Sequence, residues 1–212
     1  MAEVVTQQAR TDTQSRFWGF AGFWGLHAWI FAYSFVMLSA FYIQFVEGEF
    51  PCPLCMLQRY GMILSTAGAL LIVMQARRGT LTTAKYSQGL GMGLLGALIG
   101  GAEVSVRQIL LHIKPGDPGY GEPVLGMHLY TWALITFYVV ILFVAVVSML
   151  APVGIPEAPT RAGAQRTIST LIVGLFALVV AANVIAIIFL EGFAWVLPDD
   201  PTGYNLLDQL GL

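Results

Sequence analysis

Residues 51–76 read PCPLCMLQRYGMILSTAGALLIVMQA. Cys52-Pro53-Leu54-Cys55 stands at the front, and a mostly apolar run over residues 56–76 follows it without a break. About 20 such residues are what a helix needs to cross a bilayer, so the stretch ties a C-x-x-C to the mouth of a membrane span. Four more runs of the right length lie outward from it, over residues 17–46, 88–113, 125–150 and 167–190. The chain as a whole is 57% hydrophobic and 10% charged, against roughly 25% charged in an ordinary soluble domain. A soluble globule of 212 residues could not cover its surface with so few charges. The composition therefore excludes a cytosolic enzyme, a secreted disulfide-rich domain and a disordered chain. A net charge of −2 leaves no basic footprint for nucleic acid. The predicted fold class is an all-α integral membrane protein.

The scarce charges predict an orientation. With the amino terminus inside, Arg10, Arg16, Arg77, Arg78, Lys85, Arg161 and Arg166 fall on the cytoplasmic side, seven of the ten basic residues. Arg59, Arg107 and Lys114 fall toward the other side, with Cys52 and Cys55. In a bacterium that outer face is the periplasm, where disulfides form and persist. Residues 1–16 read as a short mobile cytoplasmic tail without a cleavable-signal pattern, and residues 151–166 as a cytoplasmic loop without secondary structure of its own.

One C-x-x-C supplies only half the ligands of a tetrahedral zinc site, so the pair is first read as redox chemistry. Pro53 restricts the backbone between the cysteines. Cys55 sits at the amino end of a helix, where unpaired N–H groups favour a thiolate. Arg59 follows one turn later on the same face, able to favour that thiolate and to donate to a carbonyl oxygen, with Gln58 as a second donor beside it. The residues also admit a blander account. A buried pair of small apolar side chains would show the same spacing, and Arg59 could simply reach toward headgroups.

Glu49-Phe-Pro-Cys52-Pro-Leu-Cys55-Met-Leu-Gln58-Arg59-Tyr60 resembles the signature of the disulfide bond formation protein B family, the quinone-linked thiol oxidases of the bacterial inner membrane. The resemblance spans residues 17–150, and Gly126-Met-His128-Leu-Tyr130-Thr-Trp132 adds to it. It implies a four-helix transmembrane bundle with the cysteine pair in the first periplasmic loop. It further implies that Cys52 is the exposed cysteine exchanging with a periplasmic thioredoxin-fold (DsbA-like) dithiol protein. Cys55 would lie beside a ubiquinone or menaquinone ring, and Arg59 would hold a quinone carbonyl. Two departures stand out. The second outer loop, KPGDPGYGEPV over residues 114–124, lacks the second cysteine pair of well-studied members. A fifth span and an outward acidic tail over residues 191–212 follow where the family usually stops, and these could dock onto another membrane protein. The alternative function is accordingly a non-catalytic accessory subunit of a larger membrane complex.

Among the other candidates, His128 is expected to contact quinone or a proton path, because intramembrane ionisable groups usually have a task. Glu103 and Arg107, spaced i, i+4, read as an ion pair, with Arg107 a further quinone contact after Arg59. His27, His112 and His128 carry no ligand spacing, and neither haem nor metal is expected. Gly89/Gly93 and Gly96/Gly100 are small-xxx-small pairs for close helix approach. Asn183 is expected to form an interhelical hydrogen bond.

Overall fold

The structure, a computed structural model, describes residues 2–159, 163–195 and 197–211, with only the backbone for 2–13. Arg161 lies outside the described residues. The helices in chain order are α1 (Ala2–Tyr42), α2 (Pro53–Arg78), α3 (Thr83–Leu95), α4 (Glu103–Leu111), α5 (Leu129–Leu150), α6 (Ala164–Glu191) and the short α7 (Asn205–Leu210). π-helical turns extend α1 through Ile43–Glu47 and join α3 to α4 through Gly96–Ala102. Five stretches are long and apolar enough to cross a membrane: Gln14–Glu47, Pro53–Arg78, Thr83–Leu111, Leu129–Leu150 and Ala164–Ala194. The protein is an all-helical, multi-pass membrane protein. Residues 2–15 are helical in backbone and continue α1.

α2 and the α3–α4 span form the tightest pair, because glycines remove the side chains between them. A Cβ on Gly61 would run into the Gly100 carbonyl, and one on Gly68 into the backbone of Gly89 and Gly93. The glycine repeats thus allow backbone-to-backbone approach, as their spacing predicts. The π-helical turns carry more residues per turn than an α-helix. Positions four apart, Ala97, Gly101 and Ser105, therefore stay on one buried face, and the next turn delivers Gln108 to the same side.

α5 buries one stripe, Tyr130, Ala133, Phe137, Val140 and Val144, at alternating spacings of three and four. Phe137 fills the space that Gly101 leaves open. α6 docks on α1 of its own chain. His27 bonds the Phe23 carbonyl through Nδ1 (2.8 Å) and the Ser169 hydroxyl of α6 through Nε2 (2.9 Å), and Asn183 donates to Met37 Sδ at 3.8 Å. The α2 end is tied to α6 by Arg77 Nη2 donating to Thr170 Oγ1 at 2.8 Å. The buried His27 and Asn183 bonds count in a bilayer, where no water competes for the groups. The predicted ion pair is absent: among the described residues only His112–Asp117 forms one, while Glu103 and Arg107 are both exposed on α4. Two long exposed side chains gain little from pairing, because holding both in one geometry costs side-chain entropy.

The chain leaves α1 at Gly48, whose φ of +77° suits glycine and turns the backbone into the cysteine loop. The same end carries the α4–α5 loop and the C-terminal tail. Tyr120 donates to the Phe50 carbonyl at 2.7 Å, and Tyr204 packs edge-on against the Phe50 ring at 5.1 Å. Met56, Ile187 and Leu190 form a small apolar cluster under Phe50, Leu197 and Tyr204. The tail therefore folds back over the start of α2.

Candidate active site

Cys52 is the N-cap of α2, Pro53 occupies the first helical turn, and Cys55 follows within that turn. Proline fits there because its missing N–H would have had no intrahelical partner. As N-cap, Cys52 turns its sulfur back over the helix mouth, where it accepts from the Cys55 backbone N–H at 3.3 Å. The two sulfurs are 2.9 Å apart and both are free thiols. This geometry corrects one expectation. Cys52 is only 5% exposed, so it is not the open member of the pair. Capping and Gln108 draw its sulfur inward, and the backbone beside it is hooked by Tyr120. Its hydrogen bond to the Cys55 sulfur, with burial second, pushes the Cys52 thiol far above the ordinary thiol range.

Gln108 was not singled out in the sequence, yet it touches both sulfurs. It is 1% exposed, and its Nε2 donates to Cys52 Sγ at 3.4 Å and to Cys55 Sγ at 3.6 Å. Its Oε1 accepts from Gln58 Nε2 at 2.9 Å. The available signal was an amide inside an apolar span, which must find partners away from water. The same signal marks Gln44, 2% exposed, whose Oε1 accepts from Arg59 Nη1 at 2.9 Å.

Arg59 is 6% exposed. Its Nη2 donates to the Ala40 carbonyl at 3.3 Å, and its guanidinium sits 5.3 Å from the centre of the Phe41 ring. A guanidinium has five N–H groups; only two of Arg59's have protein partners among the described residues. Gln44 Nε2 in turn reaches the Tyr204 hydroxyl at 3.5 Å, joining the tail to this network.

These groups border an apolar cavity of about 360 Å³ between α1, α2 and α5. Cys55, Gln58 and Arg59 line it from α2, Ala40 from α1, Tyr120 from the α4–α5 loop and Trp132 from α5. Cys52 does not line it. The remaining candidates lie outside the wall. His128 bonds the Gly121 carbonyl at 3.0 Å and stacks on Tyr130 at 5.2 Å, with His112 also stacked on Tyr130 at 5.8 Å. Tyr130, not His128, faces the cavity. Arg107 is exposed on α4 and does not reach it. Among the described residues no group of three or more His, Cys, Asp or Glu could hold a metal ion.

The family model described as "Disulfide bond formation protein DsbB" matches residues 23–121, a stretch that contains both cysteines, Arg59 and Gln108. Disulfide bond formation protein B of Chromobacterium violaceum is 42% identical over 78 residues, covering 37% of this chain and 44% of the relative. That of Polaromonas sp. is 41% identical over 85 residues, covering 39% and 46%. Disulfide bond formation protein B 1 of Pseudomonas fluorescens is 30% identical over 132 residues, covering 50% of this chain and 77% of the relative. The chain thus spans less than half the length of the first two relatives and about three quarters of the third. No solved structure matches. With a capped C-x-x-C, a buried arginine one turn on and these relatives, the chain belongs to the disulfide bond formation protein B family.

Proposed function

We propose that this protein is a thiol:quinone oxidoreductase of the bacterial inner membrane, which oxidises a periplasmic thioredoxin-fold dithiol partner through a Cys52–Cys55 disulfide. The observation that carries the reading is that Cys55 and Arg59, one turn apart, line the same apolar cavity. A thiolate of the partner attacks Cys52 Sγ, the Cys52–Cys55 bond breaks, and Cys55 departs as a thiolate. The partner's second thiolate then attacks its own sulfur in the mixed disulfide, and Cys52 departs. The partner is left as a disulfide, and two electrons now reside in the Cys52–Cys55 dithiol. The raised Cys52 thiol supports a reduced pair in which the remaining proton stays on Cys52. A ubiquinone or menaquinone suits the cavity, whose mostly apolar wall carries Arg59's unpartnered N–H groups and Gln58 among its few polar groups, and it would supply the acceptor for those two electrons. Arg59 and Gln58 would hold it by donating to a carbonyl oxygen.

The orientation proposed is amino terminus in the cytoplasm and tail in the periplasm. Arg16, Arg77, Arg78, Lys85 and Arg166 flank the span ends opposite the cysteine loop, which is the bias the positive-inside rule describes. A partner reaches Cys52 only after the Tyr120–Phe50 hook or the tail moves, since Cys52 is buried. That burial is also what favours the second reading, a non-catalytic accessory subunit of a larger membrane complex.

The test is quinone reduction by a reduced thioredoxin-fold dithiol protein, using the full chain in detergent. Turnover that disappears in Cys55→Ser supports the oxidoreductase. Full activity in Cys55→Ser overturns the mechanism, and cellular function that survives loss of both cysteines favours the accessory subunit.

A further inference from the structure

We infer that Gln108 is a catalytic residue of the thiol pair, its amide N–H bonding whichever sulfur carries negative charge as the disulfide opens and closes. The inference rests on the oxidoreductase reading above. Three observations carry it. Gln108 is 1% exposed, so water does not compete for its amide. Its Nε2 is within reach of both sulfurs, at 3.4 and 3.6 Å, so one donor serves either end of the pair without moving. Its Oε1 is occupied by Gln58 Nε2 at 2.9 Å, which turns the acceptor end of the amide away from the sulfurs.

The chemistry asks for such a group. A neutral thiol or disulfide sulfur is a weak acceptor, whereas a thiolate is a strong one, and a hydrogen bond to the charged form favours that form. In the exchange, the electron pair of the broken Cys52–Cys55 bond leaves on Cys55. When that bond re-forms, Cys55 gives up its charge to the new S–S bond, Cys52 releases its proton, and two electrons would pass from the dithiol to a quinone-class acceptor. An N–H held at similar distance from both sulfurs is in place throughout. Arg59 does not supply this contact, since its bonds go to Gln44 and Ala40. Gln108 comes from a different helix, so the contact exists only because the glycine-lined α2–α3 approach and the π-helical turns bring α4 to the mouth of α2.

The test measures alkylation of the reduced pair by iodoacetamide against pH, resolved for Cys55 by mass spectrometry, in the full chain in detergent. The titratable groups facing the pair are Arg59 from α2, Tyr120 from the α4–α5 loop and Tyr130 from α5, and all are kept in the variants. In Gln108→Leu the midpoint should move to higher pH, and the rate at neutral pH should fall on the order of tenfold, the worth of one hydrogen bond to a charged group. Gln108→Met is the sharper variant. It keeps the length and nearly the volume of the side chain and stays neutral but has no N–H to give, so a thiol role demands the same upward shift. A purely structural role, filling the space between α2 and α4, predicts a wild-type profile for Gln108→Met. An unshifted profile in a folded Gln108→Met, or in a folded Gln108→Leu, overturns the inference. If both shift while the wild-type protein reduces no quinone, the oxidoreductase reading fails and the contact of Gln108 with the thiolate stands.

Discussion

Replacing Gln44 by Leu isolates what holds a buried cation beside the cavity. Arg59 is 6% exposed and Gln44 is 2% exposed, with 2.9 Å between Nη1 and Oε1. Leucine has nearly the volume of glutamine, so the substitution leaves little void and its cost is the bond to Arg59, with the long 3.5 Å contact to Tyr204 a lesser loss. What remains for the guanidinium is the Ala40 carbonyl at 3.3 Å and the face of Phe41. An average neutral interhelical hydrogen bond in a bilayer contributes about 0.6 kcal/mol. A bond to a charged group contributes about 1.5–3 kcal/mol. For a chain of this length, each kcal/mol moves the unfolding midpoint by about 2–4 °C. The charged bond therefore predicts a drop of roughly 3–12 °C, against about 1–2 °C for a neutral one. Thermal unfolding in detergent, followed by tryptophan fluorescence, separates the two. Gln44→Glu keeps an acceptor on Arg59 and should unfold close to wild type. A drop of less than about 2 °C in Gln44→Leu, or Gln44→Glu as destabilised as Gln44→Leu, would refute the reasoning.

Two further outcomes follow from the packing and the loop. Gly61→Ala places a methyl group against the Gly100 carbonyl, which is backbone and cannot swing aside, so overpacking should cost about 1–3 kcal/mol and lower the unfolding midpoint. Gly91→Ala, whose methyl meets open space, should leave the midpoint unchanged or raise it. Asp117, in the α4–α5 loop, accepts from the Gly119 N–H at 2.9 Å and pairs with His112 at 3.0 Å. These contacts, the Gly119 bond first, hold its carboxyl below the ordinary value of 3.8. Because the folded value is the lower one, the contribution is fully present above that ordinary value and is lost as pH falls through the folded value. Amide exchange at Gly119 should therefore accelerate below about pH 4, and Asp117→Asn should flatten that dependence.

Much of the fold was legible in the sequence because bilayer physics is local. Each span must be apolar over its own length and satisfy its own backbone, so five spans and their approximate ends can be read segment by segment. The glycine spacing announced a close helix pair for the same reason. The partners of Arg59 and of the two sulfurs were harder to read. Gln44 and Gln108 lie 64 positions apart in the chain, and nothing in either neighbourhood says that one holds Arg59 and the other both sulfurs. The predicted Glu103–Arg107 pair failed because spacing alone does not hold two exposed side chains together.

By itself the sequence determined that this is a multi-pass membrane protein with one C-x-x-C at a helix mouth and an arginine one turn on. Those features follow from composition, run length and helical spacing. Only the tertiary structure decided which sulfur faces the cavity, that Cys52 is tucked inward, and that the fifth span and tail pack onto their own chain. Each depends on long-range packing across helices: the glycine contact that draws α4 toward α2, the His27–Ser169 bond that seats α6, and the tail residues that close over Phe50.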